Sequence, residues 1–218
     1  MATNFDTMKN LHNDEILIGV RYGLNNFFDL YNSAWLLQKD NKFGIANSIL
    51  ILSIEELIKT YTLMLMLISN IDDREQYKRV FKSSNLHKSR SWVAKYIKKV
   101  FKQDSMRKIF ETEVYTPSEA YKIIEKEIKP DDIEEIVSKK FPAKWFDNAY
   151  KTKNEGIYVE YDDKWYFPQY IQEKDFLESI EETKFIVFLL AGSLNHLLSI
   201  SPSEFSDFIY NMKQIIYK

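Results

Sequence analysis

"SILILSIEELIKTYTLMLMLIS", residues 48–69, decides the fold. It is almost wholly apolar, yet Glu55, Glu56 and Lys59 interrupt its centre. A helix apolar on most of its circumference belongs inside a bundle. Charges within it are costly to bury unless paired and hydrogen-bonded. Glu55 and Lys59, four residues apart, share a face and are positioned to pair, while Glu56 points about a third of a turn away. The three charges read either as a solvated stripe or intramolecular salt bridge, or as the organisers of a polar cleft or dimer interface.

Outward from this stretch the chain remains helical. Residues 14–39 place Leu17, Val20, Leu24, Phe27, Phe28, Tyr31 and Trp35 on one stripe, which predicts a long helix. "KDNKFG" breaks it, and residues 43–69 form the second helix. A short helix is expected over 73–82, followed by the loop "SSNLHKSRS". Residues 90–103 read as an amphipathic third helix with a lysine-rich wet face. Thr116-Pro117-Ser118-Glu119 is a helix-start signature, and short helices continue to Tyr150. Residues 157–161 and 164–167, rich in β-formers, predict a small hairpin. Residues 173–199 form the last long helix, and 202–217 a terminal one behind the capping box at Ser201. The expectation is an all-α four-helix bundle in one domain, with residues 104–172 as an insertion of helices and hairpin.

The 218 residues are 45% hydrophobic and 28% charged, with five glycines and five prolines, a composition that favours helices. No cysteine is present, which excludes disulfides, thiolate metal sites and a cysteine nucleophile. Three scattered histidines give no metal-ligand spacing, and no glycine-rich phosphate loop or nucleophile elbow occurs; no cofactor is expected. The N-terminus lacks a basic-then-apolar leader, and the longest uncharged apolar run, residues 185–200, is too short to span a bilayer. A cytoplasmic protein without a membrane partner is expected.

The net charge of −2 hides a segregation. Residues 78–108 carry eleven Lys or Arg against one acid, and residues 111–135 carry nine acids against three lysines. Lys88, Arg90, Lys95, Lys98, Lys99 and Lys102 are therefore candidate RNA-binding cations. The alternative is a solvated face, or docking on the acidic segment. His87, beside Lys88 and Arg90, is a candidate proton-transfer group at neutral pH; His196 reads as core or interface, and His12 carries no evident role.

The stretch "NNFFDLYNSAWLLQKDNKFGIANSILILSIEELIK" resembles the AbiV-type abortive infection proteins of the HEPN superfamily, with Ala34, Phe43, Ala46, Glu55, Glu56 and Lys59 at the matching positions. "LHKSR" is similar to the His-Lys loop of that family, and "NEGIYVEYDDKWYFP" to its Gly-Leu-Tyr-Val-Asp segment. Ile58 and Glu160 depart from it, where the family often has Gly and Asp. The resemblance implies a four-helix HEPN bundle, usually dimeric, in phage defence, with RNA or the ribosome as target and a phage-encoded activator. Many HEPN proteins are metal-independent ribonucleases using Arg, four to six residues, then His. That motif is absent here. Its nearest echo is Lys153-Asn154-Glu155-Gly156-Ile157-Tyr158. Lys153 replaces a cation without the bidentate fork of arginine, and the tyrosine pKa of about 10 suits a base poorly. The expected catalytic set is Lys153, Asn154, Tyr158 and His87, with Glu55, Glu56 and Lys59 organising the cleft. The rival expectation is a non-catalytic module that blocks translation by binding a protein or the ribosome.

Overall fold

A computed structural model describes residues 9–77, 80–81, 143–162, 164–199, 201, 203–207 and 209–210. The chain divides into two compact units, residues 1–89 with 142–218, and residues 90–141. All the described residues belong to the first. The expected third helix, 90–103, lies outside them, as do His87, Lys88, Arg90, Lys95, Lys98, Lys99 and Lys102.

Helix α1 (Asn13–Lys39) and helix α2 (Phe43–Ile68) form an antiparallel hairpin. Its start is fixed by Glu15, whose carboxylate accepts a hydrogen bond from the backbone N–H of His12 at 2.9 Å. His12, given no role by sequence, thus stands at the N-cap. The turn has an equally local cause. Asn41 adopts φ 58°, the left-handed conformation that asparagine tolerates better than most side chains. The N–H of Asn41 then reaches Gln38 O and that of Lys42 reaches Leu37 O, each at 2.9 Å. This pair of bonds closes the end of α1 and reverses the chain. Along the hairpin, a Cβ on Gly23 would collide with the Thr60 side chain, so glycine there lets the two helices approach closely.

A 3₁₀ segment (Ile71–Tyr77) follows α2 where a short helix over 73–82 was expected. After the second unit, α3 (Ala143–Glu155) runs through Lys153 and Asn154. Two three-residue strands, β1 (Glu160–Asp162) and β2 (Lys164–Tyr166), pair antiparallel with Tyr161 opposite Trp165. A 3₁₀ turn (Pro168–Tyr170) leads into α4 (Glu173–Ser199).

Helix α2 is the hub: α1, α3, α4 and both 3₁₀ segments pack against it. Its buried residues occur around nearly its whole circumference, from Ala46 and Leu50 to Ile58 and Leu67. Where α1 ends and α4 begins, Ala34, Ala46, Leu50 and Phe176 form a closed apolar cluster, with Trp35 edge-on to Phe176 at 5.3 Å between ring centres. Gln38 donates to Glu173 at 2.7 Å beside it. At the other end of α2, the buried Arg74 donates to Met66 O (3.1 Å), Lys9 O (3.1 Å), Leu11 O (2.9 Å) and Asn13 Oδ1 (3.0 Å). A guanidinium has enough donors to satisfy all four, and its charge suits the carbonyl end of α2. Among the described residues no helix is long and apolar enough to cross a membrane.

Candidate functional site: a buried ion pair between α2 and α3

Gly44, Ser48, Ile51 and Glu55 follow one another at spacings of four, three and four, so they share one stripe of α2. Helix α3 packs on α2 through its last turns. The Ser48 hydroxyl lies 2.8 Å from Lys153 O and 3.1 Å from Gly44 O, and its single proton serves one carbonyl at a time. A Cβ on Gly156 would strike Ser48 Oγ and the backbone of Gly44, so the end of α3 can lie on α2 only because residue 156 is glycine. From that anchored backbone the Lys153 side chain reaches along α2 to Glu55.

The contact is a buried ion pair, Lys153 Nζ to Glu55 Oε1 at 2.8 Å. Lys153 is 9% exposed and Glu55 6%. The ammonium also lies 5.8 Å from the Tyr150 ring centre, within cation–π reach. Burial pushes the Glu55 carboxyl above its usual range; the hydrogen bond and charge of Lys153, and then Lys59, pull it part of the way back, and Glu56 adds to the rise. The hydrogen-bonded partner of Glu55 is therefore Lys153, 98 residues away, and not Lys59, which was only positioned to pair four residues along the same helix. Lys59 and Glu56 are half-buried and act on Glu55 through space. Lys153 enters from a packed neighbour and donates directly to the carboxylate, while Lys59 acts on it as a nearby charge.

Of the remaining candidates, Asn154 is half-buried and Tyr158 is 57% exposed. The N–H groups of Ile157 and Tyr158 both donate to Asn154 O, at 3.1 and 2.8 Å, so the two residues share the turn that ends α3. The structure thus brings together Glu55, Glu56, Lys59 and Lys153, and sets Asn154 and Tyr158 one turn away. Among the described residues no group of His, Asp and Glu is arranged to hold a metal ion.

Arg74 and Asn47 are among the buried polar residues that had no expected role. Arg74 sits in a polar stretch without periodicity, where nothing in the sequence distinguishes it from a surface arginine. Asn47 is 1% exposed and its Oδ1 has no hydrogen-bond partner among the described residues; its only signal was being an amide in an apolar run.

The family model for AbiV, a group within the HEPN superfamily, matches residues 15–187. No curated protein and no solved structure matches the chain significantly.

Proposed function

The chain belongs to the AbiV family of HEPN proteins, and from that premise we propose that it is an abortive-infection protein of phage defence which acts on RNA or translation by binding, without cutting RNA. The observation that supports the non-catalytic reading is the Glu55–Lys153 pair. A cation that stabilises a reacting phosphate must be free to meet it. Lys153, the residue standing where the superfamily motif begins, is buried and already neutralised at 2.8 Å. Withdrawing it would leave Glu55 buried without its partner, at a cost of about 3–5 kcal/mol.

The surface around the pair supports docking. Tyr150, Ile157, Tyr158 and Val159, all from α3 and the turn after it, are exposed, and grouped apolar exposure marks interaction sites. In this proposal the protein is a cytoplasmic homodimer, held inactive until a phage-encoded activator releases it, and its target is RNA or the ribosome.

A second reading, a metal-independent ribonuclease, is favoured by one feature. The exposed Tyr158 phenol and the Asn154 amide share a turn with Lys153. The experiment that separates the two readings incubates purified protein with total RNA in EDTA, with and without phage lysate, beside a translation assay. Inhibited translation with intact RNA supports binding. Cleavage that Tyr158→Phe and His87→Ala abolish overturns it in favour of the nuclease. Lys153→Ala is informative only alongside a check of folding.

A further inference from the structure

A cavity of about 430 Å³ opens at the end of α2 remote from the ion pair. Leu67 lines it and Glu55 does not; the two lie about 18 Å apart along the helix at 1.5 Å per residue. Its volume is in the range of small-molecule sites, roughly 300–1,000 Å³. Four parts of the fold contribute: the start of α1, the end of α2, the end of α4 and the later residues Phe205, Ser206 and Ile209.

The lining has two characters. Leu67, Leu197 and Phe205 are among the residues of its apolar side. The solvent-exposed Asn13, Asp14 and Arg21 line its polar side, with Asp14 and Arg21, seven residues apart, on one face of α1. Arg21 is exposed and makes no hydrogen bond or ion pair among the described residues, so its charge is not committed to holding the fold.

Hydrogen bonds hold two groups at or beside the lining. Arg74 fixes Asn13 Oδ1 and Met66 O, beside Leu67, in one bonding network. Near Phe205 the exposed Glu204 accepts from both Ser201 N (2.9 Å) and Ser201 Oγ (2.7 Å), which caps the segment that carries Phe205. Preorganised walls lower the cost of binding.

From these features we infer that the cavity binds a small amphipathic anion, with its carboxylate or phosphate on Arg21 and its apolar body against Leu67, Leu197 and Phe205. Arginine matches such oxyanions with two parallel N–H donors. Asp14, about two turns toward the helix start, repels a second anionic group and accepts from a donor there, so the ligand carries its negative charge at one end only. This site is separate from the Glu55–Lys153 pair and stands or falls independently of the function proposed above.

The test titrates the full-length protein with octanoate and, separately, octylammonium, followed by calorimetry or NMR shifts. Saturable octanoate binding, at least tenfold tighter than octylammonium, is expected. Arg21→Gln weakens octanoate tenfold or more, and Arg21→Glu reverses the preference, an outcome that a merely damaged fold does not produce. Co-sedimentation with phosphatidylglycerol vesicles, lost in Arg21→Gln, identifies a bilayer lipid as the source of the anion; its absence alongside octanoate binding identifies a free molecule. No saturable binding, equal affinity for the two probes, or an Arg21→Gln protein that binds octanoate as the wild type does overturns the assignment.

Discussion

At the scale of single residues, the Glu55–Lys153 pair carries the sharpest expectations. Lys153→Ala leaves a buried carboxylate without its partner, and a loss of about 3–5 kcal/mol is expected in urea unfolding. Replacing both residues together, Glu55→Leu with Lys153→Met, removes charge and partner at once and costs much less, because an apolar pair of similar volume needs no compensation. A double-mutant cycle measures the difference. The pH dependence has a definite sign. The carboxyl of Glu55 is raised in the folded protein above its ordinary value of 4.5, so between that value and the raised one the folded state holds a proton that the unfolded chain has released. Stability contributed through Glu55 therefore falls as pH rises through that window, and is level below 4.5. Unfolding curves from pH 4 to 8 are expected to show this slope in the wild type and lack it in Glu55→Gln.

At the scale of elements, the close seat of α3 on α2 rests on Gly156 and Ser48. Gly156→Val forces a side chain into Ser48 and the Gly44 backbone, and about 1–3 kcal/mol of destabilisation is expected. Ser48→Ala removes one hydrogen bond to Lys153 O, worth roughly 1 kcal/mol; chemical denaturation reads both. The same elements show what sequence reading reached. The ends of α1, α2 and α4 followed from apolar periodicity and from the Asp40-Asn41-Lys42 turn, because helix spacing and capping are local properties. That Glu55 needed a partner was also legible, since a carboxylate in so apolar a helix is costly. Its identity was only partly so: Lys153 was expected in the cleft that Glu55 organises, but as a catalytic cation, while Lys59 offered the nearer pairing. Arg74 was hidden. Its four acceptors come from both ends of a hairpin, and only folding gathers them.

At the scale of the whole molecule, the Arg74 network joins the start of α1 to the end of α2. Arg74→Met strands the carbonyls of Met66, Lys9 and Leu11, and a loss of at least about 1.5–3 kcal/mol is expected in thermal or chemical unfolding. The proposed dimer is checked by gel filtration with light scattering. A dimer that Tyr158→Glu and Val159→Glu dissociate would place its contact on the exposed surface after α3; a monomer at all concentrations would remove the dimer from the proposal.

The central position of α2 has a consequence during synthesis. The α1–α2 hairpin is closed by contacts near in sequence and is expected to form soon after Ser69 leaves the ribosome. The helices that cover its remaining faces arrive later, with Lys153 following Glu55 by 98 residues, on the order of 5–20 s at cellular elongation rates. Through that interval the parts of α2 that α3 and α4 cover in the folded protein lack those partners. Glu55, Glu56 and Lys59 keep the middle of α2 hydrated and interrupt what would otherwise be an aggregation-prone run. Stalled chains ending near residue 100 are expected to stay soluble, and the same chains with all three charges replaced by leucine to sediment.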